Sequence, residues 1–99
     1  MKRVVLSEKA KQEIHEVWWY WAERVSEGVA ARQLDRIWAG LGVLAEQPLA
    51  GRSAEEIAPG MRVLSVGKYQ IYDARRGAAI LVAHVIAGER DQRQAVLGK

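Results

Sequence analysis

The sequence predicts an α+β domain with the element order β-α-α-β-β-β, in which a helical hairpin packs on one face of a small, mainly antiparallel sheet. Two observations lead to this prediction. Apolar residues recur at helical spacing up to Pro48, and after Gly60 they fall in short β-rich runs. The chain has 99 residues, enough for one two-layer core but too few for a separate cofactor domain. We therefore expect residues 1–99 to form a single domain that carries the whole function.

The first predicted elements are a strand and a long helix. Residues 3–6 are a short β-branched run, and Ser7 is a good N-cap for a helix that begins at Glu8. The core-facing stripe predicted for this helix consists of Ala10, Ile14, Val17, Trp18, Trp21 and Val25. Ser26-Glu27-Gly28 is predicted to end the helix.

A second helix follows and completes an antiparallel hairpin. Its predicted apolar stripe consists of Ala30, Leu34, Ile37, Leu41 and Leu44. Pro48 cannot continue a helix, so we expect this one to end near Glu46. Residues 40–45 match the Gly-x-Gly-x-x-Ala pattern of dinucleotide sites, but that fingerprint needs a strand before it and a helix that opens at the glycines. Here the pattern lies inside a helix, and we expect no nucleotide site and no cofactor.

Three strands are predicted in the second half of the chain. Residues 51–60 form a polar, proline-containing connection. The predicted strands lie near residues 61–66, 69–74 and 79–86, joined by turns at Gly67-Lys68 and Arg75-Arg76-Gly77. The last strand hardly alternates between apolar and polar residues, so we expect it to be covered on both faces or to lie centrally in the sheet.

The basic residues favour the strand-rich half. Residues 1–50 hold seven Lys or Arg and seven Asp or Glu, whereas residues 51–99 hold eight and five, so the net charge of +3 comes from the second half. The candidate binding residues there are Arg52, Arg62, Lys68, Arg75, Arg76, Arg90 and Arg93. If they converge on one edge or face of the sheet, they would bind RNA phosphates or an acidic protein segment. The alternative is a merely solvated basic face.

Composition argues against a membrane span, a signal peptide and a metal site. No apolar stretch is long enough to cross a membrane, the N-terminus does not resemble a signal peptide, and there is no cysteine, which together suit the cytoplasm. His15 and His84 stand apart, whereas zinc needs three or four convergent ligands, so we expect no metal site.

The four tryptophans divide into two groups. Trp18 and Trp21 lie in the stripe of the first helix and Trp38 at the edge of the second stripe, so packing accounts for all three. Trp19 falls on the polar face of the first helix, where a large ring suggests a surface for a partner. The alternative is a ring covered by the C-terminal tail or by a neighbouring side chain.

Motifs in the second half resemble, in their order and spacing, those of the RelE/ParE family of bacterial toxins. They are Gly51-Arg52, Pro59-Gly60-Met61-Arg62, Gly67-Lys68-Tyr69-Gln70-Ile71-Tyr72 and Gly88-Glu89-Arg90-Asp91. Leu6-Ser7 and the helical run that ends near Pro48 fit the family as well. The resemblance covers nearly the whole chain and implies the same β-α-α-β-β-β fold.

The resemblance implies one of two activities. RelE-like members are ribosome-dependent mRNA interferases, whereas ParE-like members inhibit DNA gyrase. RNA cleavage needs clustered basic residues and a proton carrier. Here Gln70 stands where a RelE-like arginine would be expected, and no tyrosine follows Asp91. The ParE-like branch fits better, although Ala87 stands where its last strand usually carries histidine.

We therefore expect the toxin of a type II toxin-antitoxin pair, which inhibits DNA gyrase by binding and without catalysis. The resemblance implies a small cognate antitoxin with a DNA-binding N-terminal part and a C-terminal segment that folds on the toxin. The residues expected to bind the target or the antitoxin are Trp19, Arg52, Arg62, Lys68, Arg75, Arg76, Arg90 and Arg93. An alternative is a RelE-like endoribonuclease acting on mRNA at the ribosome, with Arg62, Lys68 and Arg90 on the phosphate and His84 as proton carrier. A partner-binding module without toxicity is a third possibility.

Overall fold

The computed structural model describes residues 2–88 and confirms the predicted fold class. The elements are β1 (Arg3–Leu6), α1 (Glu8–Arg24), α2 (Glu27–Glu46), β2 (Arg52–Ser53), β3 (Arg62–Val66), β4 (Tyr69–Arg76) and β5 (Ala79–Ala87). The strands form one sheet in the order β1-β5-β4-β3-β2, in which β1 and β5 are parallel and the other pairs antiparallel. Both helices contact the sheet from one side. We call this side the helix face, which carries Leu64, Ile71 and Val82, and the other the open face, which carries Val63 and Tyr72.

Ser7 joins the start of α1 to β5. Its Oγ accepts a hydrogen bond from the Ala10 N–H (2.9 Å), as predicted for an N-cap, and donates one to the Ala83 carbonyl (2.8 Å). Its backbone N–H donates to the Val82 carbonyl (2.9 Å). One residue thus caps the helix and fixes its position against the sheet.

The junction of the two helices differs from the prediction. Ser26 is the N-cap of α2 and accepts from the Val29 N–H (3.1 Å), so Glu27 and Gly28 begin the second helix and are not a loop. A serine cap followed by a first-turn carboxylate stabilises the free amides and the positive end of the helix dipole, and this outweighs the glycine. The prediction that Val25 faces the core is wrong, because Val25 caps α1 and is 58% exposed.

The strands also differ from the prediction in two places. Residues 52 and 53 form β2, a short edge strand beside β3 within the segment predicted as a connection. Arg75 and Arg76 belong to β4, so the prediction that they form the turn is wrong. The turn lies at Gly77, whose φ of 59° suits glycine. The central position of β5, between β1 and β4, is confirmed.

A β-bulge shifts the register of β5 against β4. Tyr72 pairs with His84, and Asp73 pairs with Val82, so Ala83 is the extra residue. Val82 and Val85 are three residues apart, yet both pack in the core of the helix face, which an unbroken two-residue alternation would not allow. The bulge therefore changes which side chains of β5 face the helices.

The main core lies between the helices and the sheet, and a smaller cluster lies on the open face, where Ala54 and Met61 pack on Val63 and Tyr72. Gly40 lets α2 approach the sheet, since a Cβ there would lie 2.6 Å from Val66 Cγ1. The glycine pattern at residues 40–45 therefore serves helix packing, inside α2. The prediction that Trp38 packs is wrong, because it is 50% exposed.

Candidate functional site

The candidate basic residues are divided between two ends of the sheet. Lys68 lies in the turn between β3 and β4, whereas Arg75 and Arg76 end β4. At about 3.3 Å per residue, these positions are roughly 23 Å apart. Arg90, Arg93 and the motif from Glu89 to Asp91 lie outside the described residues, as does the tail beyond them.

Three exposed arginines share the open face of the sheet, Arg3 and Arg76 near the end of β4 and Arg52 nearer the level of its middle. Arg3, Ala79 and Arg76 are aligned across β1, β5 and β4, so Arg3 and Arg76 lie on the same face with their backbones about 10 Å apart. Arg52 is aligned with Val63 on that face. We call Arg3 and Arg76 the basic end, and Arg52 lies apart from it on the same face. Sequence reasoning missed Arg3 because its place depends on the long-range pairing of β1 with β5.

The Arg62 side chain holds the segment that precedes β2 against the sheet. Its Nη2 donates hydrogen bonds to the Leu49 carbonyl (3.2 Å) and to the Gly51 carbonyl. A Cβ on Gly51 would lie 2.7 Å from the carbonyl carbon of Val63, so only glycine fits where this segment crosses β3. Gly51 and Arg62 of these motifs therefore have a structural explanation, namely fixing the connection from α2 to the sheet.

Asp73 faces Arg62 across the β3–β4 pair and is only 2% exposed. Its Oδ2 and the Nε of Arg62 are both buried without a hydrogen-bond partner within residues 2–88. Burial raises the pKa of Asp73 to about 6, and the charge of Arg62 opposes this only in part. The pair lies on the inside of the sheet and offers little surface to a ligand.

His84 is held by a buried carboxylate. Glu13 Oε2 lies 3.1 Å from His84 Nδ1, and Glu13 Oε1 accepts the Val85 N–H at 2.8 Å. His84 is thus directed toward α1 on β5, while Arg62 lies on β3, two strands away, and binds backbone carbonyls. The structure does not bring these two residues together. Sequence reasoning missed Glu13, although it follows Ala10 at a spacing of three, within the apolar stripe.

Tyr72 is the buried tyrosine of the open face. Its Oη donates to Gln70 Oε1 (3.2 Å), and burial raises the pKa of its phenol, opposed by the nearby Arg52 charge. A raised pKa keeps the phenol protonated at neutral pH, which does not suit a general base.

The exposure predicted for Trp19 is confirmed. Its ring is 48% exposed, and its Nε1 donates to His15 Nε2 at 2.8 Å. The ring meets Trp18 edge to face, with centroids 5.2 Å apart. Trp19 is therefore held in one orientation at the surface, as suits a recognition residue.

A cleft opens between α1 and the end of β5. It has a volume of about 420 Å³ and is lined by Glu13, Glu16, Val17, Tyr20, Tyr69, Val85, Ile86 and Ala87. Beside it, Trp21 Nε1 donates to the Tyr69 hydroxyl at 2.6 Å, and Lys68 Nζ lies 5.2 Å from the Trp21 ring centroid. We call this space the α1–β5 cleft. Nothing in the sequence predicted it, because it depends on how α1 crosses the sheet.

The described part of the chain offers no candidate metal site and no candidate membrane-spanning helix. No group of three or more His, Cys, Asp or Glu within residues 2–88 is placed to hold a metal ion. None of the helices there is both long and apolar enough to span a bilayer.

Comparison with known proteins gives a family and a fold. The family profile described as "ParE toxin of type II toxin-antitoxin system, parDE" matches residues 4–92. The solved structure titled "Chromosomal ParDE TA system from P. aeruginosa" superposes with a TM-score of 0.81 at 18% identity, covering 90% of this chain and 98% of that one. At that identity the likeness concerns the fold. No curated protein sequence matches this chain.

Proposed function

Because this chain belongs to the ParE toxin family of type II toxin-antitoxin systems, we propose that it inhibits DNA gyrase by binding and is neutralised by a cognate antitoxin. The partner would be a small protein with a DNA-binding N-terminal part and a C-terminal segment that folds on the toxin. Growth inhibition in the cytoplasm would follow from loss of gyrase activity.

Inhibition by binding, without catalysis, is supported by the contacts that Arg62 and His84 already make within the protein. RNA cleavage by the RelE-like route would need a phosphate-binding arginine beside a proton carrier. Here the Arg62 guanidinium donates to two backbone carbonyls, and His84 pairs with Glu13 two strands away. Arg62 and His84 are therefore separated from each other and already bonded within the protein.

We propose two separate patches for recognition of the target and the antitoxin: the basic end with Arg52 on the open face, and Trp19 on α1, which packs on the opposite face of the sheet. Arg3, Arg52 and Arg76 are exposed on the open face, where they would meet phosphates or carboxylates. Trp19 would supply an apolar anchor from α1. These two patches belong to different elements, so their contributions to target and antitoxin binding can be separated by substitution.

The test is supercoiling by purified gyrase with rising toxin concentration, with and without antitoxin, while cleaved DNA is followed. Antitoxin-reversible inhibition is the expected result. The variant Arg52→Gln/Arg76→Gln should need about 5- to 10-fold more toxin for half-inhibition, since charges at an interface edge steer association. The control Lys9→Gln/Arg32→Gln removes the same charge from exposed helical positions and should behave as wild type. Inhibition absent at all concentrations, with ribosome-dependent mRNA cuts appearing in its place, would refute the proposal.

A further inference from the structure

The α1–β5 cleft is an acidic site in a basic protein. The chain carries a net charge of +3, yet two glutamates one helical turn apart line this space. Glu13 is only 7% exposed, and Glu16 is exposed at the rim. Both residues line one cleft, and the neighbouring cations lie against rings, Arg24 on Tyr20 and Lys68 near Trp21. The two acidic residues make the cleft complementary to a cation.

Glu13 lacks a fixed countercharge. Its two oxygens contact the Val85 N–H and His84 Nδ1, and no Lys or Arg within residues 2–88 forms an ion pair with it. A neutral amide and an imidazole offset only part of the cost of burying an ionised carboxylate. A cation entering the cleft would therefore gain attraction from Glu13 as well as from Glu16.

The remaining lining suits a guanidinium on an aliphatic stem. Val17, Val85 and Ile86 give apolar walls for methylene groups. The Arg24 guanidinium already lies 4.1 Å from the Tyr20 ring centroid, so a second planar cation would stack on the other face of that ring. Arginine matches such a site better than lysine, because its planar group stacks on rings and donates to carboxylates in a fork.

We propose that the α1–β5 cleft receives an arginine side chain presented by a partner protein, on a segment where apolar residues flank that arginine. The volume of about 420 Å³ accommodates one long side chain and the backbone that carries it. The proposal does not depend on gyrase being the target. It adds to the arginines of this chain a second, oppositely charged recognition site.

The test uses the full chain and a minimal probe, N-acetyl-arginine-N-methylamide, followed by amide chemical shifts in NMR. Shifts should appear at Glu16, Tyr20 and residues 85–87, with a dissociation constant of about 1–10 mM, as expected for a single side chain. The citrulline analogue has the same shape without the charge and should leave these signals unmoved. Two results would overturn the proposal. One is that the citrulline analogue produces the same shifts; the other is that the arginine probe produces none at about 50 mM, a concentration several times the expected dissociation constant.

Substitution assigns the binding to the cleft. Glu16→Gln should weaken binding of the probe about 2- to 5-fold, as for an exposed ion pair. The matched control Glu46→Gln removes the same charge at the exposed end of α2 and should leave the binding unchanged. Equal weakening by both variants would show a general effect of charge and contradict a specific site.

Two other occupants are distinguished in the same experiment. Movement of the cleft signals on dilution without probe would identify a second copy of this chain. A change of those signals in Arg90→Gln or Arg93→Gln without probe would show that the chain fills its own cleft. Either result would overturn a partner's arginine as the occupant.

Discussion

Replacing Asp73 by asparagine should stabilise the protein above neutral pH and leave it almost unchanged in acid. The Asp73 carboxyl is 2% exposed, and burial raises its pKa from 3.8 in the unfolded chain to about 6 in the folded one. Between those values the folded state holds a proton that the unfolded state has lost. Folding then takes up a proton, so the free energy of unfolding falls as the pH rises through this window.

The size of the effect follows from the pKa difference. Raising the pKa from 3.8 to about 6 corresponds to an upper limit of about 3 kcal/mol at pH 7 and above. Asparagine has nearly the same shape and no charge to bury, so Asp73→Asn should recover up to that amount at pH 8. Below about pH 3.5, Asp73 is protonated in both states, and the variant should differ little from wild type.

Urea unfolding followed by tryptophan fluorescence, at intervals between about pH 3.5 and 8, measures the difference. Asp35→Asn is the control, because Asp35 is exposed on α2 and its loss changes the net charge by the same amount. A loss of stability at pH 8 in Asp73→Asn would refute the reasoning. It would show that Arg62 stabilises an ionised Asp73 by more than burial costs.

Four further substitutions test the packing and the helix cap by urea unfolding. Gly51→Ala should lower the free energy of unfolding by about 1–3 kcal/mol, because the new Cβ would overlap the backbone of Val63. The matched change Gly42→Ala should raise it by about 1 kcal/mol, since a Cβ there meets nothing within 4 Å. Equal effects of the two alanines would contradict the close approach at Gly51. Ser7→Ala should cost about 1–2 kcal/mol, as it removes the cap and the bond to the Ala83 carbonyl, and Ser7→Thr should retain most of that stability. A wild-type midpoint for Ser7→Ala would show that water replaces both bonds.

Local patterns predicted the helices and the exposed ring well. The cap at Ser7 and the end of α2 near Glu46 follow from side-chain chemistry within one or two turns, and helical periodicity is enough to place Trp19 at the surface. The same reasoning failed at Ser26, because a serine followed by an acidic residue and a glycine can end one helix or begin another.

The candidate site was less predictable, because its contacts join distant parts of the chain. Arg62 donates to carbonyls 11 and 13 residues earlier, which no side-chain pattern records. Glu13 contacts His84, which lies 71 residues later in the chain and next to a bulge that the sequence of β5 does not predict. The basic end depends on Arg3 and Arg76 meeting across β5.

The parallel pairing of β1 with β5 has a consequence for synthesis on the ribosome. Residues 3–6 pair with residues 79–82, so β1 has no place in the sheet until β5 has left the exit tunnel. Closing so long a loop is costly in chain entropy and slows folding. A nascent toxin therefore completes this sheet only after β5 has been made and released, which leaves an interval in which newly made chains have no finished surface with which to bind any partner.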